Sequence, residues 1–267
     1  MNRTTRRASS AASRAGGLAF GSVLAAVAAV RRGKAVHPHG VVHRARLVVP
    51  GSPDAPAAAQ LLATPAQHDA LVRFSRSVGL PRPLPDLLGM SIRVLDAYGE
   101  GAHQDLMLVT SIDLPVLHHL FVPARDVWER PYSSSLPYRA GDETFLVGAI
   151  PDPASPHPTG SDELDRLDRA AATGRLAFHL AVAPVEGRFR AVAELRIGER
   201  VTDALDALRF SPFTTGGGMA PSGVLNGMRA LAYPMSQAAW RATRQDGDEA
   251  QRSADDALDA ELADARG

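Results

Sequence analysis

From residue 40 onward the chain breaks into short runs that have the length and β-branched content of strands, separated by proline and glycine. They are GVVHRARLVV (40–49), MSIRVLDAYG (90–99), QDLMLVTS (104–111), ETFLVGAIP (143–151), RLAFHLAVAPV (175–185) and RFRAVAELRIG (188–198). Several alternate apolar with polar positions, the pattern of a sheet with one buried face, and their number points to a sandwich or a barrel. The last two, joined by Glu186-Gly187, read as an antiparallel hairpin. The expected class is therefore α+β, built on antiparallel strands.

Helical segments are fewer. Residues 55–72, 114–121, 161–174 and 223–244 are the candidates; in the third, Ser161 is the expected N-cap and Gly174 lies just past the end. With 267 residues, 45% of them hydrophobic, the chain can bury one large core. We divide it into an Arg/Ala-rich helix or tail (1–33), one domain (34–245) and an acidic tail (246–267) expected to be disordered or a loosely held helix. The run GGLAFGSVLAAVAAV (16–30) has a basic flank but ends in RRGK and is short for a bilayer span. It reads as an amphipathic helix in a cytoplasmic protein, with an export signal over residues 1–33 as the alternative. The 29 basic and 29 acidic residues balance, which gives no argument for nucleic acid. Without cysteine there is no disulfide, thiolate metal site or cysteine nucleophile.

Four stretches carry chemistry. KAVHPHGVVH (34–43) holds His37, His39 and His43; the spacing is poor for zinc, while a histidine at a barrel mouth can act as a general acid/base. A surface histidine in a turn accounts for the same residues. VRFSRSVG (72–79) puts Arg73 and Ser75 on one side of an extended chain and Phe74 on the other. PLPDLLGMSIRVLDAYGEGAHQDLMLV reads as a turn followed by a hairpin. In MAPSGVLNGMRALAYPMS, Arg229 and Tyr233 fall one helical turn apart, and Pro234 disturbs the helix at Tyr233. A guanidinium beside a phenol favours the phenolate, a strong ligand for ferric iron, although a core tyrosine with an incidental arginine fits equally.

In this order the four stretches are similar to the haem-binding core of the catalase family. The family's R-V-V-H-A-K-G is matched by Lys34 to Gly40, its V-R-F-S by Val72 to Ser75, and its D-x-x-G and D-L patterns by Asp86, Gly89 and Asp105-Leu106. Its proximal segment is matched by Pro221-Ser222, Leu225-Asn226-Gly227, Arg229 and Tyr233-Pro234. The resemblance implies a catalase-like β-barrel holding haem b, with a C-terminal helix that carries Tyr233 as the axial iron ligand and Arg229 as its cation. It implies His37 as the distal acid/base, Ser75 as the hydroxyl orienting it, and Arg73 and Lys34 as partners of the haem carboxylates. Val36 joins the cofactor-binding set, and Arg241 falls one position beyond the family's third arginine. The family's distal asparagine is replaced by Val109 and Thr110, and Thr110 is expected to supply a hydroxyl in its place.

These matches imply a haem-dependent catalase-like peroxidase acting on hydrogen peroxide or organic hydroperoxides, with a small-molecule substrate, no nucleic acid, no stable membrane span and a homodimer as the expected assembly. Two alternatives come from other classes: a degenerate haem protein that only binds, and a haem-free barrel for an apolar ligand. A histidine-metal hydrolase on HPHGVVH is a further one.

Overall fold

The computed structural model describes residues 39–77, 80, 84–160, 162–201, 205, 208–223, 252–260 and 263, and for His39 the backbone only. In chain order the strands are β1 (His39–Val49), β2 (Ala66–Arg76), β3 (Leu88–Val94), β4 (Gln104–Thr110), β5 (Tyr132–Ser133), β6 (Tyr138–Ala140), β7 (Glu143–Pro151), β8 (Ala177–Pro184), β9 (Arg190–Arg200) and β10 (Met219–Pro221). The helices are α1 (Gln60–Ala63), α2 (Glu163–Ala171) and α3 (residues 252–260).

Eight strands close into an antiparallel barrel in the order β1-β2-β3-β4-β5-β7-β8-β9, with β9 returning to β1. Closure satisfies the ladder groups that an open sheet leaves at its edges. Strand β6 pairs with the first half of β7, and β10 pairs with β6, so these two form a flap outside the ring.

Alternation decides which residues fill the ring. Val41, Ala45, Leu47 and Val49 of β1 point inward, as do Val72 and Phe74 of β2, Met90 and Ile92 of β3, Leu106 and Leu108 of β4, Tyr132 of β5 and Phe178 of β8. The Tyr132 hydroxyl donates to the Val127 carbonyl at 2.8 Å, which satisfies its polar end inside an apolar core. The interior is thus a packed core, and a bound ligand has to sit elsewhere. A second cluster covers the outside of β1 to β4: Val42 and Leu71 pack with Val201, Leu205, Leu208 and Phe210, and with Ala254 and Leu258 of α3.

Three expectations need correction. Residues 55–72 are not one helix: α1 ends at Ala63, Thr64 is extended ahead of Pro65, and β2 starts at Ala66. Residues 114–121 hold only a 3-10 turn, Leu117–His119, because Pro115 and Val116 interrupt the helix and Val116 sits at φ 69°. Within the acidic tail, where a helix is one of the two expectations, α3 packs on the outer cluster through Ala254 and Leu258. The helix expected at 161–174 is present as α2, but its N-cap is Asp162 in place of Ser161: the Asp162 carboxylate accepts from the Leu164 and Asp165 amides. Gly174 lies beyond its end at φ 67°. The hairpin of β8 and β9 is present, with residues 185–189 as its loop.

Candidate functional site on the outer face of β1 to β4

The register places residues from four strands side by side. Gly40 faces Ser75, Ser75 faces Gly89, and Gly89 faces Val109, forming one row across the outer face. The next row is Val42, Arg73, Ser91 and Met107, and the third is Arg44, Leu71, Arg93 and Asp105. Two glycines and a serine make the first row a flat floor almost flush with the backbone. A Cβ added at Gly40 would stand 2.7 Å from Cζ of Arg73 and 2.7 Å from the Phe74 carbonyl oxygen. Gly40 therefore lets the Arg73 guanidinium lie down across β1 and keeps a positive charge on this face.

The third row anchors what covers the face. Arg93 donates from Nε and from one terminal nitrogen to the two Asp105 oxygens, each at 2.7 Å, and Asp105 is fully buried. Such a fork-to-fork pair is both strong and directional. The same groups hold residues 208–214: Arg93 donates to the Arg209 carbonyl at 2.8 Å, Asp105 accepts from the Ser211 amide at 2.8 Å, and the Arg93 guanidinium lies 5.2 Å from the Phe210 ring centre. Gln104 continues the anchorage by accepting from the Tyr98 hydroxyl at 2.8 Å and Thr215 Oγ1 at 3.0 Å. Burial pushes the Tyr98 phenol up, so it stays a donor. Gly216 and Gly217 pass directly under the Tyr98 ring, where any Cβ would collide with it. The path of the chain is fixed in this way up to Ser222, whose amide donates to the Pro137 carbonyl at 2.8 Å.

A second buried charge cluster adjoins Ser75. Arg76 donates to Glu163 at 2.7 Å and to the Leu84 carbonyl at 2.8 Å, and its Nε lies 3.5 Å from Asp86. Asp86 also accepts from the Leu80 amide at 3.0 Å. Asp86, singled out in the sequence, thus works as a brace between β2 and the loop that follows it. On the other side of β1, His43 is fully buried; its Nδ1 donates to the Gly198 carbonyl at 3.0 Å and its Nε2 lies 3.1 Å from Asp168 of α2. Burial holds its imidazole below the ordinary histidine range, partly offset by Gly198 and by the Asp168 charge. With both nitrogens so engaged, His43 is not available to a metal in HPHGVVH. Among the described residues no group of three or more His, Asp or Glu can hold a metal ion.

Of the residues singled out in the sequence, Arg73 and Ser75 come together on the outer face. Thr110 does not join them. It shares the inward side of β4 with Leu106 and Leu108 and pairs with Tyr132, and its hydroxyl accepts from the Leu88 amide at 3.2 Å. The side chain that β4 offers to the outer face is Val109, because the strand alternates and Val109 shares a side with Asp105 and Met107. Lys34, Val36, His37, Arg229, Tyr233 and Arg241 lie outside the described residues. Gly40 and Asp105 stand in the matched motifs without a role there, and Arg93 stands in none. Their signal was the register, since Arg93 and Asp105 meet only once β3 and β4 are aligned. An open cleft of about 220 Å³ lined by Trp128, Arg130, Asp152 and His157 contains none of the residues singled out.

The architecture is a closed antiparallel barrel with a packed interior and a shaped outer face. Comparison with solved structures finds the same architecture in catalases. A fungal catalase matches with a TM-score of 0.53 at 15% identity over 75% of this chain and 58% of that one. A bacterial catalase matches with a TM-score of 0.52 at 12% identity over 71% and 53%, respectively. The fold is catalase-like, and the chain spans a little over half the length of these catalases. No family model and no curated protein matches the sequence.

Proposed function

We propose that the outer face of β1 to β4 seats haem b and that the protein is a catalase-like peroxidase of hydroperoxides. The observation that carries this reading is the in-register row Gly40, Ser75, Gly89 and Val109 beneath the Arg73 guanidinium. The residues fit the group: a flat floor suits a planar ring, an arginine suits its carboxylates, and Val109 supplies an apolar contact at the end of the row. Haem supplies the redox chemistry when bound.

The chain's own residues take the remaining roles. Tyr233 would hold the haem iron, and Arg229 would favour its phenolate form. His37 would move a proton from the inner to the outer hydroperoxide oxygen, a transfer that contributes about 10²- to 10⁴-fold in general acid–base catalysis. Ser75 would orient His37, and Arg73 with Lys34 would hold the carboxylates. Val109 brings no hydrogen-bonding side chain to the row, which favours organic hydroperoxides over hydrogen peroxide.

The test is reconstitution of the full chain with haem. A Soret band, faster consumption of an alkyl hydroperoxide than of hydrogen peroxide, and loss of the tyrosinate spectral signature in Tyr233→Phe are expected. A protein that stays colourless with haem, or a Tyr233→Phe variant with the wild-type spectrum, overturns the reading. The inward turn of Thr110 favours a second reading, in which haem is bound without turnover; normal haem content with no hydroperoxide consumption and no effect of His37→Ala would select it.

A further inference from the structure

Past Val109 the outer face continues in register: Val109 faces Ser133, and Ser133 faces Gly148. Here the surface is covered. Phe189, from the turn between β8 and β9, lies so close on Gly148 that an added Cβ would stand 2.6 Å from its Cε1. His118, from the loop between β4 and β5, sets its ring edge against Phe189, with 4.6 Å between ring centres and 62° between planes. Loop and turn therefore meet over the Gly148 end of this face.

The loop is fixed at its stems by backbone bonds, from the Ser111 amide to the Pro131 carbonyl at 2.8 Å and from the Val122 amide to the Thr110 carbonyl at 2.9 Å. The Ser111 hydroxyl also donates to the His118 carbonyl at 3.0 Å. Its junction with the turn is built around a fully buried imidazole. His118 Nδ1 lies 3.2 Å from the Ile112 carbonyl oxygen, and Nε2 lies 2.6 Å from the Gly187 carbonyl oxygen. Both partners can only accept. A neutral ring has one N–H, so one of these carbonyls would face a lone pair with no water at hand; a ring carrying two protons donates to both. The charges around it suit that form. Asp113 Oδ1 lies 3.9 Å from Nδ1 and accepts from the Phe189 amide at 3.2 Å. Arg188, the charged residue that the turn brings to this junction, stays in solvent and donates to the Asp113 carbonyl at 3.4 Å.

We propose that His118 is a proton-operated latch between the β4–β5 loop and the β8–β9 turn. It is closed while both ring nitrogens carry protons, and loss of either proton orphans a buried carbonyl and frees the loop from the turn. Latching therefore strengthens as pH falls and weakens as pH rises. Protonation of Asp113 would act in the opposite sense, loosening the junction as pH falls, so the direction of the effect tells the two groups apart. The inference goes beyond the haem reading and stands whether or not the outer face holds haem.

The experiment follows amide exchange of the full chain between pH 5 and 8, corrected for the intrinsic rate, together with long-range proton–nitrogen spectra of protein labelled with ¹⁵N-histidine. Protection of the Phe189 amide is expected to fall ~10-fold or more as pH rises, as befits a buried carbonyl that loses its donor, while the interior of β3 is unchanged. Both His118 nitrogens are expected to carry protons in the protected state. In His118→Gln, which cannot titrate in this range, the pH dependence at Phe189 is expected to vanish. Protection of Phe189 that does not vary with pH, protection that falls as pH falls, a pH dependence that survives in His118→Gln, or a neutral His118 ring in the protected state overturns the proposal. The last reading comes from the wild-type protein and holds even where the variant does not fold.

Discussion

Gly40 shows how much a single missing side chain can determine. Its Cα hydrogen leaves the room in which the Arg73 guanidinium lies, and the Phe74 carbonyl blocks the alternative of moving the strand outward. Gly40→Ala is expected to cost about 1–3 kcal/mol, as for other overpacked sites, and to displace Arg73. Urea unfolding measures the first effect and affinity for a carboxylate-bearing porphyrin the second. His43 illustrates titration. Its folded value is lowered by burial, so below the ordinary value of about 6.5 the unfolded chain binds a proton that the folded chain refuses. Stability from this residue is complete above that value and declines as pH falls toward the folded value, with Asp168 and Arg200 as the charges facing the ring. Unfolding free energies of wild type and His43→Gln are expected to diverge in pH dependence through this window, the wild type falling more steeply.

Among the elements, β3 and β4 carry the covering segment through one ion pair. Removal of a single partner leaves the other charge buried, so Asp105→Ala is expected to cost about 3–5 kcal/mol and to release residues 208–214. Faster amide exchange at Ser211 and Thr214 in that variant, with the interior of β3 still protected, is the expected sign. Much at this scale was legible in advance. The six strand runs appear as strands because alternation is local, and α2 appears because its cap and end signals are local too. The pair of Arg93 and Asp105 was illegible because the residues are twelve apart and meet only through the β3–β4 register. Thr110 and Val109 show the same limit: motif spacing marks both positions, but only the phase of the strand decides which one faces outward. Residues 55–72 failed for a different reason, since an apolar run of that length fits a helix until Pro65 divides it.

In the whole molecule, a packed interior leaves the proposed haem seat on the exterior, apart from the core that drives folding. Stripping a ligand from the outer face is expected to leave the far-ultraviolet circular dichroism of the sheet unchanged and to lower the melting temperature only by the mass-action contribution of that ligand. Calorimetry of loaded and stripped protein checks this. Ring closure has a consequence for biosynthesis as well. Strands β1 to β4 pair with sequence neighbours, but the other flank of β1 waits for β9, with Ala45 meeting Ile197. A nascent chain halted before Arg190 therefore carries an unfinished sheet with a naked border on β1. During translation this interval is when the polypeptide is most open to mispairing with another copy and most in need of a chaperone.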